Sequence, residues 1–258
     1  MKQLTEKQIV ENWSKLIQLI EDTFDGDRKE KLLEMYKYFE DRMSVAPASG
    51  KAAYHNAMVG GYVEHVLHVT DCALQIKKLW ESNGTMINFT DEELVFAAMH
   101  HDLGKVGDLN QDYYIPQDSE WHRKNRGEIF KHNPNLQYMT VTDRAIFLLN
   151  HFGVSMSQWE YIGLKLTDGM YEEANKSYYM SYNPDWGLKS NIAYILHQAD
   201  MMATHIESDE WNRADEEFNT NLTTNLKKAV EPKTETKQPS PKLSEKSQDL
   251  FDELFGDK

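Results

Sequence analysis

Apolar residues in this chain recur every three or four positions and almost never every second one, and that period decides which folds are open to it. In "TEKQIVENWSKLIQLIEDTF" Ile9, Trp13, Leu16, Ile17 and Ile20 share one helical face, and "DRKEKLLEMYKYFEDRM" repeats the pattern with Leu32, Leu33, Tyr36 and Phe39. Val59, Tyr62, Val63, Val66, Val69, Ala73, Ile76 and Trp80 predict a long helix from Met58 to Trp80, despite Gly60 and Gly61 near its start. "TDEE" at 90–93 is a capping box directly ahead of "LVFAAM". "VTDRAIFLLNHFG" returns to the helical period with Gly153 as its stop, and Ser190 is placed to cap "NIAYILHQADMMATHIE". Residues 109–140, with Pro116 and Pro134 among Asn and Asp, read as loop. The expected fold is all-α, a helical bundle with a disordered C-terminal tail.

A chain of 258 residues can bury one sizeable core. The expected division is 1–45, N-terminal helices packing on the core; 46–210, the core itself; 211–246, a mostly disordered linker; and 247–258, a terminal peptide. "KKAVEPKTETKQPSPKLSEK" carries the linker reading, because it has almost nothing to bury. The formal net charge of −14 opposes bulk nucleic-acid binding through the whole-molecule field, but opposes less a small anion drawn to a local metal. No apolar run approaches the roughly 20 residues that span a bilayer, and the N-terminus lacks a secretory pattern. The expected location is therefore the cytoplasm, that of the host for a phage-encoded chain. A single cysteine, Cys72, excludes an intramolecular disulfide and a Cys-based zinc site.

Polar ligands sit where apolar residues belong. His65 lies on the stripe of the long helix, His101 and Asp102 end the buried run in "AAMHHDLGKVGD", and Asp200 falls between Leu196 and Ala203. A buried unpaired carboxylate costs several kcal/mol and is relieved by neutralisation, a charged partner or a metal. If the three helices pack together, these residues converge as two imidazoles and two carboxylates. Such a mixed N/O set suits Mn²⁺, Fe²⁺, Co²⁺, Ni²⁺ or Zn²⁺ better than Mg²⁺. Singly, each residue favours a satisfied core or surface group; their order along the chain, with "LGK" after His-Asp, favours the metal.

"HNAMVGGYVEHVLHV", "AAMHHDLGKVGD" and "ILHQADMMA" resemble the three signature segments of the HD-domain superfamily of metal-dependent phosphohydrolases, over roughly residues 50–207. His55, the Gly60–Gly61 pair, Glu64 and His65 are similar to the branch containing a bacterial 3′→5′ exoribonuclease, whose flanking nucleic-acid module has no counterpart here. The resemblance implies a helical fold in which His65, His101, Asp102 and Asp200 ligate a metal, Mn²⁺ or Fe²⁺ first, with Asp102 and Lys105 in the catalytic machinery. For Lys105 a solvated lysine is the equal alternative. Some members hold two metals through further histidines, for which His122, His132 and His151 are candidates. Gly127 to His132 resembles a Gly-x₄-His segment of the related branch, whereas "LTDGMYEEA" places Thr167 and Asp168 where that branch has His-His-Gly. This departure favours one metal, with His132 or His151 as proton donor or substrate contact, and His55, His122 and Arg126 on the substrate. Asp168, Glu172 and Glu173 read equally as a solvated helix start, and Tyr171, Tyr178, Tyr179 and Tyr182 offer rings for stacking on a base but read more readily as core.

The implied activity is hydrolysis of a phosphate ester or anhydride of a nucleotide or related small molecule. The alternatives are a 3′→5′ exonuclease, a di-iron oxygenase of the same superfamily, and a catalytically silent adaptor. "QDLFDELF" adds a partner, since Gln248, Phe251, Leu254 and Phe255 have the spacing of tails that dock on sliding clamps in tailed-phage and cellular proteins. A terminal turn folding back on the domain is the other reading. Replacing 247–258 is expected to leave hydrolysis of small substrates intact, and phosphate-release assays that show activity lost with the peptide would contradict a docking-only tail.

Overall fold

At the middle of the fold lies a short helix whose last two turns are wholly buried. Thr90 Oγ1 accepts from the amide of Glu93 (3.1 Å) and Glu93 Oε2 accepts from the amide of Thr90 (2.9 Å), which closes the expected capping box. The helix opened there, α4 below, is buried at every residue from Leu94 to His100. A helix apolar all round must be enclosed by others.

The computed structural model describes residues 3–52 and 54–228, with only the helical backbone for 214–228. The helices are α1 (Glu6–Thr23), α2 (Gly26–Met43), α3 (Gly61–Ser82), α4 (Asp91–His100), α5 (Glu120–Arg126), α6 (Val141–His151), α7 (Gln158–Lys165), α8 (Lys176–Tyr179) and α9 (Ile192–Lys228). The all-α expectation is met. One side of α4 joins α1, α2, α6 and α7 in a core containing Leu16, Tyr36, Phe39, Phe96, Met99 and Leu148. Its other side meets α9 through Leu94, Ala97, Ala98, Ile195, Leu196 and Ala199, with Val69 and Ala73 of α3 in the same cluster. Thus α3 and α4 serve both clusters. The N-terminal helices share a core with α3 and α4, and residues 1–213 form one compact unit without a division at residue 45.

Three expectations need correction. The long helix begins at Gly61 rather than Met58, because Gly60 takes a left-handed φ of 78° and a Cβ on Gly61 would overlap the carbonyl of Asn56. The stretch 109–140 is not all loop: β1 (Tyr114–Pro116) pairs antiparallel with β2 (Phe130–His132), with α5 between them. The third concerns the linker, since helix continues through 211–228 instead of ending before 211. Trp211, four residues after buried Glu207, is itself 3% exposed and extends the inward face. The rest of the linker and the peptide with Gln248, Phe251, Leu254 and Phe255 lie outside the described residues. Among those described, no helix is long and apolar enough to cross a membrane.

After α4 the chain turns through His101 and Asp102 into a single 3₁₀ turn, Leu103–Val106, that packs on α6. Gly104 is required at this contact, because a Cβ there would overlap the carbonyl oxygen of Val141. Gly104→Ala is expected to cost about 1–3 kcal/mol through forced backbone displacement. Thermal unfolding followed by circular dichroism should show a drop of roughly 3–10 °C, and an unchanged midpoint would refute the contact.

Candidate metal centre

Three helices deliver four side chains to one point. His65 Nε2 of α3 lies 3.3 Å from Asp200 Oδ1 of α9 and 3.7 Å from Asp102 Oδ2, in the turn after α4. His101 Nε2 lies 3.5 Å from Asp102 Oδ2 and 3.8 Å from Asp200 Oδ1. Metal–ligand bonds of about 2.0–2.2 Å put tetrahedral neighbours about 3.4 Å apart, so the spacing suits a small divalent ion. His65, His101 and Asp102 bring ligand atoms within 4.8 Å of one another, and so do His55, His65 and Glu207. His65 and His101 are buried, whereas the Asp200 side chain keeps about a quarter of its surface and marks the open side.

The imidazoles are oriented from behind. His101 Nδ1 is 2.7 Å from the carbonyl of Ala98, and a carbonyl can only accept, so Nδ1 carries the proton and Nε2 keeps a lone pair. His65 Nδ1 is 3.0 and 3.2 Å from the two carboxylate oxygens of Glu207. Both Nε2 atoms are buried without a hydrogen-bond partner. Two buried acceptor-capable nitrogens aimed into a group of carboxylates fit a cation. His100 does otherwise: its Nδ1 contacts the Phe96 carbonyl at 2.7 Å and its ring packs on Tyr36 and Phe96, inside the core.

The electrostatics are tightly linked. Lys105 Nζ lies 2.6 Å from Asp102 Oδ2. Burial opposes the charge on Asp102, but Lys105, His101 and His65 outweigh it and hold the carboxyl below its usual range. Asp200 is likewise held low against burial by His65 and His101. Desolvation pulls the His65 imidazolium down, yet Glu207 and Asp200 override it and push its pKa up to about 10. Burial raises Glu207 less than His65 and His68 lower it, leaving it at about 2. With both imidazoles neutral, Asp102, Asp200 and Glu207 oppose Lys105 alone, an excess of two negative charges that one divalent cation balances.

Of the other expected site residues, His55 is nearest, its ring 4.5 Å from that of His65 and its Nε2 buried without a partner. Burial, then His65 and Lys105, depresses its pKa to about 4. His132, on β2, packs against Tyr113 and Tyr114, and its pKa is lowered by burial and by Lys105. His122, Arg126 and His151 are not brought into the cluster. His122 Nδ1 contacts Ser119 Oγ at 2.8 Å, and Arg126 lies exposed over Trp121. His151 shares the outer face of α6 with Phe147, one turn away, because Ala145, Leu148 and Leu149 take the inner face. Asp168 belongs to the site's surroundings, since burial and the Asp102 and Asp200 carboxylates raise its pKa. Tyr171, Tyr178 and Tyr182 are exposed rather than core, because 169–186 forms only single turns with no repeated face to bury.

Sequence reasoning missed Glu207 and His68. Glu207 is seven residues, two helical turns, after Asp200, and His68 is one turn after His65, so both spacings were readable. Comparison of the chain with protein-family models, with curated proteins and with solved structures found no match.

Metal-stripped protein is expected to be most stable near pH 6.5, because His55 and His100, whose pKa values burial lowers to about 4 and about 3, cost stability as pH falls below 6.5. The His65 contribution is complete below 6.5 and is lost as pH rises through about 10, while that of Glu207 is complete above 4.5 and is lost as pH falls through about 2. Each slope is at most about 1.4 kcal/mol per pH unit. Thermal melts in EDTA across pH 3–10 check this, and a His65→Gln variant should lack the decline on the alkaline side.

Proposed function

We infer that the chain is a metal-dependent phosphohydrolase of the HD type, acting on a nucleotide or a related small phosphate ester or anhydride. The reading is supported above all by the meeting of His65, His101, Asp102 and Asp200, with both imidazole Nε2 atoms buried, facing the carboxylates and without a hydrogen-bond partner. These four residues would hold the ion, with Mn²⁺ or Fe²⁺ the first choices for an N/O donor set. A divalent ion supplies Lewis acidity toward a phosphoryl oxygen and lowers the pKa of water it binds. Asp102 holds Lys105 at the edge of the site, where an ammonium offsets charge on phosphoryl oxygens. His55 flanks His65, and the β1–β2 hairpin carries His132 beside Tyr114, whose burial-raised pKa Lys105 moderates, so both histidines are candidates for contact with the substrate. The net charge of −14 favours a small substrate over a polynucleotide. Docking of the C-terminal peptide on a sliding clamp belongs to the same proposal.

The test is phosphate release from purified protein with Mn²⁺, comparing deoxynucleoside mono- and triphosphates with short oligonucleotides. Asp102→Ala is expected to lower turnover by roughly 10³-fold, since the metal's effect is several kcal/mol and each 1.36 kcal/mol is tenfold. Oligonucleotide cleavage alone would favour the exonuclease, two bound irons the oxygenase, and a fully loaded but inactive protein the silent adaptor.

A further inference from the structure

Glu207 has a more specific task than filling the core. Its side chain is 2% exposed, and among the described residues its ion-pair partners are two imidazoles of α3. His65 Nδ1 lies within 3.2 Å of both carboxylate oxygens, and His68 Nδ1 lies 2.8 Å from Oε1. His65 and His68 are one turn apart on α3, so a single carboxylate from α9 spans both. An ionised carboxylate can only accept, so each Nδ1 must carry a proton, and the neutral His65 imidazole then has its lone pair on Nε2, facing His101, Asp102 and Asp200. The other imidazole of the site has only a neutral carbonyl behind it.

On the metal reading above, we propose that Glu207 is a positioning residue that fixes the Nδ1–H form of His65 and strengthens its Nε2 as a ligand, with His68 locking the rotation of the carboxylate. Carboxylates behind metal-binding imidazoles raise ligand basicity, and their loss typically weakens metal binding 10–100-fold. The charge of Glu207 also completes the two-unit excess that a divalent ion balances.

The experiment is calorimetric titration of EDTA-stripped full-length protein with Mn²⁺, for wild type, Glu207→Gln and His68→Gln, alongside long-range ¹H–¹⁵N NMR of the Zn²⁺-loaded wild type. Expected are one equivalent of Mn²⁺ in wild type, 10–100-fold weaker binding in Glu207→Gln, a smaller loss in His68→Gln, and a His65 ring protonated at Nδ1. Equal affinity in Glu207→Gln, with wild type still binding, overturns the positioning role and leaves the metal site standing. No binding by wild type overturns both. A second equivalent lost on Glu207→Gln makes Glu207 a ligand and overturns the proposal. The NMR arm needs no variant to fold: ligation of His65 through Nδ1 is by itself a refutation.

Discussion

Three carboxylates and two imidazoles share one largely buried volume at the meeting of α3, α4 and α9, and the architecture around them is organised by the electrostatic cost of that arrangement. A charge withdrawn from water costs several kcal/mol unless it is paired. Lys105 answers for Asp102, and His65 stands between Asp200 and Glu207 as a bridge whose pKa is driven upward by both. The histidine that would serve as ligand therefore also serves, when protonated, as counter-ion. Cation binding and His65 protonation compete for the same negative field.

That volume is held in place by apolar packing rather than by its own charges. From Leu94 onward α4 is enclosed on all sides, so its C-terminal end cannot shift without moving both core clusters. The turn after it lies against α6 at a glycine that admits no side chain, which sets the direction of Asp102 and Lys105. α9 and α4 share one apolar cluster, which contains Ala97 and Ala98 of α4 and Leu196 and Ala199 of α9. Asp200 and Glu207 lie on the inward side of the same helix, two turns apart. Rigid packing thus supplies the pre-organisation on which a metal centre depends.

Much of this was legible beforehand, in ways that follow from particular residues. The period of Tyr62, Val66, Val69, Ala73 and Ile76 made α3 a helix and put His65 on its buried side, because the hydrophobic stripe and the histidine share one spacing. The box at Thr90 and Glu93 located α4 within a residue, since its hydrogen bonds are local. The β1–β2 hairpin escaped notice because three-residue strands show no usable alternation. Residue type alone suggested His151 for the site, although it lies exposed at the end of α6 beside Phe147 while Ala145, Leu148 and Leu149 are buried.

Taken alone, the sequence determined the helices α1 to α4, α6 and α9 but not α5, α7 or α8, where two of them are capped, and which polar residues lie on apolar faces, because each depends on interactions within a few residues of the chain. Only the tertiary structure decided that His101 and not His100 faces His65, that Glu207 stands behind that imidazole, and that His122, Arg126 and His151 stay outside the cluster. Periodicity assigns a residue to a face of its own helix, whereas which faces meet is set by close packing of side chains from the whole molecule, and no local pattern encodes that.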